Sequence, residues 1–218
     1  MSKDIPGCPT AIENTTVHVS VYAQAIPTLR GEILIEGPVT ANRLSTMEMC
    51  PQMNNFRSHH TQLQTLIKIT ELPRGEVYLA RRDQTIIGYV TFHKPDDDFY
   101  WGRHDRLIEM GGIEIARQWR CYHVATALLE YIFSGNYWDD FIVVSFEFCR
   151  HWDLQGNKLS IWEYRSMMDK LLGQVNFNPR YTNMFDILTH PANTLMVRCG
   201  KNVNQDDWDL FNLLTRSF

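Results

Sequence analysis

The stretch Leu107–Phe133 constrains the fold more than any other part of this chain of 218 residues. Residues 107–116 form an apolar run typical of a β-strand, whereas Val124, Leu128 and Ile132 recur at the spacing of one helix face. A short loop joins the two. Because the first amides of a helix have no intrahelical partner and the macrodipole adds partial positive charge there, this arrangement favours anions. The sequence therefore predicts a phosphate or pyrophosphate site at this helix start.

The loop resembles motif A of the GNAT-type N-acetyltransferases, in which a strand is followed by Arg or Gln, two residues, Gly, one residue, and Gly or Ala. Arg120 and Ala125 fit this pattern, whereas Cys121 and His123 stand where the family commonly has glycine. In the family, the loop amides hold the pyrophosphate of acetyl-CoA, and the preceding strand bonds the pantetheine arm. The resemblance therefore implies acetyl-CoA as co-substrate and these cofactor-binding residues: Ile113, Glu114, Ile115, Arg120, Cys121, Tyr122, His123, Val124, Ala125 and Thr126.

Several longer runs stand outside this loop: Glu71-Leu-Pro-Arg-Gly75, Ile87-Gly-Tyr-Val-Thr91, His151-Trp-Asp-Leu154, Trp162-Glu-Tyr-Arg165, and His190-Pro-Ala-Asn193 through Arg198 to Val203. They resemble the acetoin utilization acetyltransferases within that family, over roughly residues 31–203. The resemblance implies an α/β GNAT fold, with a mixed central sheet flanked by helices and a splayed cofactor cleft. It also implies a partner, acetyl-CoA synthetase, which such proteins acetylate on a lysine and switch off.

Composition favours one globular domain, since 44% of the residues are hydrophobic and 21% are charged. We predict a single domain over residues 31–218, after an N-terminal extension (residues 1–30) of uncertain structure. A formal net charge of −4 argues against nucleic-acid binding, which normally needs a basic patch. No apolar run approaches the about 20 residues that span a bilayer, and the N-terminus lacks a signal-peptide core. We expect a cytoplasmic protein without a membrane partner, and the sequence leaves its oligomeric state open.

The cysteines and histidines give no metal-site signal. The five cysteines are scattered and never form a C-x-x-C pair, which argues for free thiols. His59 and His60 are adjacent, so on a helix their side chains would point about 100° apart and would chelate one ion poorly. We therefore predict no metal.

Hydrophobic periodicity predicts alternating strands and helices with one internal hairpin, which is typical of a mixed α/β sheet. The predicted strands are His18–Tyr22, Gly31–Glu36, Glu76–Ala80, Thr85–Phe92, the central strand from Leu107, Asp140–Phe148 and Thr194–Cys199. The predicted helices are Thr40–Met47, Ser58–Glu71, Val124–Phe133, Ser160–Leu172 closed by Gly173, and Asp206–Leu214.

Acetyl transfer to an amine needs a base, because a lysine with a pKa of about 10.4 is mostly charged at neutral pH. Glu109 is the first candidate, since it precedes Gly111 and Gly112 at the position where some GNAT lysine acetyltransferases place their catalytic glutamate. Simple alternation puts Glu114 on the opposite face, but a bulge at the glycines would reverse that phase. Which acid faces the cleft therefore stays open, and Glu147 is a third candidate.

Three further readings stay open from the sequence. Tyr164 matches a tyrosine that some family members use to protonate the departing thiolate, or it packs as an ordinary helix residue. His123 could crowd the phosphate path, bind phosphate as an imidazolium, or point outward while the loop amides bind. The loop of residues 94–106 could be a solvated segment or a rim that attracts a lysine-bearing partner.

Protein lysine acetylation is thus the leading function predicted for this chain. The first alternative is a non-catalytic regulator of GNAT shape, favoured by Cys121 and His123. The second is an acetyltransferase for a small amine, which would need an enclosed acceptor pocket rather than an open groove.

Overall fold

The computed structural model describes residues 23–95 and 100–216. The predicted strand His18–Tyr22 lies outside the described residues, as do residues 96–99 of the loop of residues 94–106.

Strands and helices alternate along the described chain. The strands are β1 (Gln24–Thr28), β2 (Gly31–Glu36), β3 (Glu48–Met49), β4 (Glu76–Arg82), β5 (Thr85–His93), β6 (Leu107–Ile115), β7 (Ile142–Glu147), β8 (Asn178–Arg180) and β9 (Thr194–Cys199). The helices are α1 (Ala41–Ser45), α2 (His59–Ile69), α3 (Val124–Phe133), α4 (Leu154–Asn157), α5 (Ile161–Gly173), α6 (Phe185–Leu188) and α7 (Gln205–Arg216). The described strands form one mixed sheet in the order β1-β2-β4-β5-β6-β7-β9-β8, with β3 paired to β5.

The elements predicted within the described residues are confirmed, with small differences at their ends. Thr40 caps α1 and Ser58 caps α2, and Ser160 forms a reciprocal capping box with Glu163 at the start of α5. The sequence pattern missed β1, β3 and β8, which are short or carry proline. β1 pairs with β2, so the sheet already begins within the segment predicted as an extension.

The prediction that Gly173 closes α5 is wrong. Gly173 lies inside the helix, and the C-cap residue of the helix, Gln174, keeps a right-handed backbone conformation. The chain instead turns at Asn176, whose φ is 68°. Asparagine tolerates this left-handed region better than most residues, so it takes the role expected of the glycine.

The sheet is covered on both faces by helices. Gly88 faces Ile115 and Leu128, so α3 covers this side of the sheet, whereas the next residue, Tyr89, faces the opposite side. The main core contains residues of α1, α2, α3 and α5. A smaller cluster joins Phe211 of α7 to β6, β7 and β9.

The sheet opens between β6 and β7. These parallel strands pair only over three positions, from Leu107 with Ile142 to Glu109 with Val144. Beyond Glu109, the rest of β6 pairs only with β5, while β7 continues to pair with β9. The two strands therefore form a splayed gap whose closed end is the Glu109–Val144 pair.

Candidate active site

The loop before α3 keeps a glycine-like backbone although it contains no glycine. Cys121 has a φ of 64° and His123 a φ of 59°, both in the left-handed region that favours glycine. His123 occupies the N-cap position, and its carbonyl accepts the first helical bond, from the Ala127 amide at 2.9 Å. The amides of Val124 and the two residues after it therefore have no partner within the helix. A phosphate site at this helix start stays a prediction.

A cleft of about 640 Å³ lies between this loop, the free side of β6 and α5. Its size is typical of a pocket for a cofactor-sized ligand. Among the predicted cofactor residues, all except Tyr122 line it: Ile113, Glu114, Ile115, Arg120, Cys121, His123, Val124, Ala125 and Thr126. The Tyr122 ring instead packs near Trp119, with the Arg30 guanidinium 5.6 Å from its centroid.

Arg120 ties the loop to the far side of the cleft. Its Nε donates to the Ile115 carbonyl at 3.1 Å, and its Nη1 donates to Oδ2 of Asp153 at 2.8 Å. Asp153 also accepts from Arg117 and from the Gly156 amide at the start of α4. Burial raises the pKa of the Asp153 carboxyl, but these hydrogen bonds outweigh it and lower the pKa to about 2. The guanidinium of Arg120 is therefore held in an ion pair at the rim of the cleft.

Glu114 is buried and held at two points. The Asn55 amide donates to its Oε1 at 3.0 Å, and the Tyr89 hydroxyl donates to its Oε2 at 2.9 Å. Burial, with the nearby Glu114 charge, raises the pKa of Tyr89, so this hydroxyl stays protonated and donating. The Asn55 side chain in turn donates to the His151 carbonyl at 2.7 Å, which links β6 to the segment after β7.

The register shows which side of the sheet Glu109 faces. Gly111 is the extra residue of a bulge, because Phe92 pairs with Met110 and Thr91 with Gly112. Glu114 pairs with Tyr89 and Glu109 with His93, and these two β5 residues are four apart and share a face. Glu109 and Glu114 consequently lie on the same face of the sheet. Glu109 stands at the closed end of the gap but does not line the 640 Å³ cleft.

Glu147 and Tyr164 lie near the other wall of the gap. Glu147 is buried and accepts from the Ser145 hydroxyl at 2.8 Å; burial raises the pKa of its carboxyl, and this bond partly offsets the rise. Tyr164 lines the cleft, and its ring stacks on the Trp152 ring with their centroids 5.0 Å apart. Burial raises the pKa of Tyr164, so its hydroxyl keeps its proton at neutral pH.

Comparisons with known proteins identify a family that fits this cleft. Residues 42–134 match the acetyltransferase (GNAT) family. Two acetoin utilization proteins AcuA, from Bacillus licheniformis and Bacillus subtilis strain 168, are 36% and 37% identical over 199 residues, which is 90% of this chain and 95% of each relative. The chain belongs to the GNAT acetyltransferase family. It is an N-acetyltransferase that depends on acetyl-CoA.

Solved structures agree with this membership. The acetoin utilization protein from Exiguobacterium sibiricum 255-15 is 33% identical, with a TM-score of 0.87 over 90% of this chain and 94% of that one. The GNAT domain of PAT from S. lividans is 11% identical with a TM-score of 0.50, covering 81% of this chain and 96% of that domain, and shows the fold alone.

Two contacts that shape this acetyltransferase's cleft gave no local sequence signal. Asp153 and Asn55 each bond to a partner far away in the chain, and no local spacing marks such contacts. Within residues 23–95 and 100–216, no group of three or more potential ligand side chains could hold a metal ion. In the same ranges, no helix is both long and apolar enough to cross a membrane.

Proposed function

We propose that this acetyltransferase transfers the acetyl group of acetyl-CoA to a lysine of acetyl-CoA synthetase and thereby inactivates that enzyme in the cytoplasm, in acetoin and acetate metabolism. Two lines of support lead to this acceptor. The relatives named as acetoin utilization proteins match nine tenths of the chain. The runs quoted above resemble the acetoin utilization acetyltransferases, which act on that enzyme.

The observation that carries the proposal is the conformation of the loop before α3. A degenerate loop would be expected to lose the left-handed turns once glycine was replaced, yet Cys121 and His123 both keep them. The residues at the start of α3 line the cleft, so their amides would be available to a ligand there. This favours a working cofactor site over a non-catalytic regulator.

The cofactor roles follow from position along the cleft. The α3 amides of Val124, Ala125 and Thr126 would hold the pyrophosphate, where the macrodipole favours negative charge. The backbone of Ile113–Ile115 has no strand partner on its β7 side, so it would bond the pantetheine arm. Arg120 would act indirectly, by holding the loop against Asp153.

The acceptor roles follow from the two sides of the gap. Glu109 lies at its closed end, where its carboxylate would attract the lysine ammonium and take its proton. Glu114 is already held by the Asn55 amide and the Tyr89 hydroxyl, so we assign it to shaping the strand rather than to proton transfer. Tyr164 lines the cleft in its protonated form and would give a proton to the departing thiolate.

The assignment of Glu147 is structural. Its buried carboxylate accepts a hydrogen bond from the Ser145 hydroxyl, and both buried residues belong to β7. We expect it to support the Trp152–Tyr164 stack rather than to meet the acceptor amine.

The test is incubation of the purified chain with acetyl-CoA and acetyl-CoA synthetase, followed by mass spectrometry of the synthetase and by its activity. We expect one lysine to gain an acetyl group while synthetase activity falls in step. The matched control is the Tyr164→Phe variant, which keeps the ring stack but should transfer more slowly. Loss of synthetase activity without acetylation would support a non-catalytic regulator instead. Acetylation of small amines alone would support an acetyltransferase for a small amine.

A further inference from the structure

His93, Glu109 and Val144 form one row across three strands at the closed end of the gap. Glu109 and His93 are directly paired on antiparallel strands, which places their Cβ atoms about 5 Å apart on one face. We propose that His93 is a proton relay for the acetyl transfer: it receives from Glu109 the proton of the acceptor amine and releases it to solvent. This inference rests on the proposed function and adds a residue to it.

The His93 ring is oriented for this role. Its Nδ1 lies 3.0 Å from the Lys94 carbonyl oxygen, which can only accept, so Nδ1 carries the proton of the neutral ring. Nε2 is then the atom with the free lone pair. Among the described residues, no hydrogen bond engages Nε2.

Nε2 packs closely against the backbone at Gly111. It lies 3.1 Å from the position that a Cβ on Gly111 would take, and Thr91 Oγ1 lies 3.2 Å from the same point. Gly111 itself is exposed to solvent. Nε2 therefore lies beside a solvent-exposed part of β6.

A relay gives the proton on the base a path to solvent. Each turnover leaves a proton on the base, which must be cleared before the next amine binds. His93 stands across the strand pair from Glu109, and its Nε2 lies close to the exposed Gly111, so the ring lies between the proposed base and water. Lys94, which follows His93 in the sequence, is also charged.

The lysine ammonium gives one proton to the Glu109 carboxylate, which passes it to His93 Nε2 and on to water. The neutral amine then attacks the thioester carbon; a C–N bond forms and the C–S bond breaks. The second amine proton ends on the CoA sulfur, delivered by exchange with the Tyr164 hydroxyl. The products are the acetylated lysine, CoA with its thiol protonated, and one proton in solution.

The test is the pH dependence of kcat for His93→Ala with acetyl-CoA and acetyl-CoA synthetase, with and without free imidazole. We expect kcat to fall roughly 10²-fold, the lower end of general acid–base contributions, and imidazole to restore a large part of it. The acetyl-CoA dissociation constant should stay within about twofold, because His93 does not line the cleft. His60→Ala, an exposed site on α2, is the matched control and should behave as the parent with or without imidazole.

A second variant separates the relay from a packing role. Gly111→Ala would push its Cβ against Nε2 and Thr91, so we expect it to lower kcat without rescue by imidazole. Equal kcat of His93→Ala and parent across pH would overturn the relay alone, as would a loss that imidazole leaves unchanged. Absence of transfer by the parental chain would overturn the proposed function and the relay together.

Discussion

Two side chains stand in backbone positions that usually belong to glycine. Cys121 and His123 have positive φ, and the Cβ atom of an ordinary residue makes this conformation cost roughly 1–2 kcal/mol. The rest of the fold holds them there, since the loop is anchored by Arg120 on one side and by α3 on the other. Such strain is tolerated where surrounding contacts fix the backbone, which is common at functional sites.

This conformation leads to a stability prediction for His123→Gly. Removing the Cβ relieves the strain, while the added flexibility of glycine in the unfolded chain offsets part of it, so we expect a gain of roughly 0.5–1 kcal/mol. A melting curve should show an increase of roughly 1–4 °C for a chain of this size. His123→Ala is the control, because it keeps the Cβ and should give no such increase. A similar change in both variants would show that strain is not the cause.

Glu109→Gln tests the proposed base. The amide keeps the size of the side chain but can neither hold the ammonium by charge nor take its proton. We expect kcat to fall by roughly 10²- to 10⁴-fold while acetyl-CoA binding stays nearly unchanged. Steady-state kinetics and calorimetric titration measure the two quantities. Acetylation at the parental rate across pH would remove Glu109 from this role.

At the scale of elements, one ion-pair cluster joins the loop after β6 to the start of α4. Asp153 accepts from Arg117 and Arg120 and caps α4 through the Gly156 amide. Two members of the cluster, Arg120 and Asp153, line the cleft. A single carboxylate therefore links the loop that precedes α3 to helix α4, which follows β7 in the chain.

The pKa of Asp153 gives this cluster a pH signature. Its folded value, about 2, lies below the ordinary 3.8, so the charge contributes stability at neutral pH that is lost as pH falls through this interval. Asp153→Asn keeps an acceptor for the cap but has no charge to lose. We expect the free energy of urea unfolding to differ between parent and variant by a constant amount near neutral pH, and the difference to shrink below pH 3.8. A difference that persists to pH 2 would contradict the assignment.

Local sequence patterns predict the elements that have strong hydrophobic periodicity. They fail where contacts between residues far apart in the chain determine the structure. Strand β6, helix α3 and the loop between them were visible because apolar spacing and the motif lie in one short stretch. The short edge strand β8 shows no alternation and forms because β9 offers it a partner. The sequence does not show on which face of the sheet Glu109 lies, because that depends on the bulge at Gly111. Only the pairing of β6 with β5 reveals that bulge.

At the scale of the molecule, one sheet positions both halves of the reaction. In the proposed reaction, the gap between β6 and β7 would admit the co-substrate along the α3 side, and the row of His93, Glu109 and Val144 closes the gap. Both halves of the proposed reaction therefore depend on the cleft binding acetyl-CoA through the loop amides.

The most direct measurement of that claim is the melting temperature of the purified chain with acetyl-CoA, with adenosine as the control ligand. At 100 times the dissociation constant, a ligand of the folded state adds about 2.7 kcal/mol to the free energy of unfolding. We predict a clear increase with acetyl-CoA and none with adenosine. No increase at millimolar acetyl-CoA would contradict the cofactor site and, with it, the roles proposed for Glu109, Tyr164 and His93.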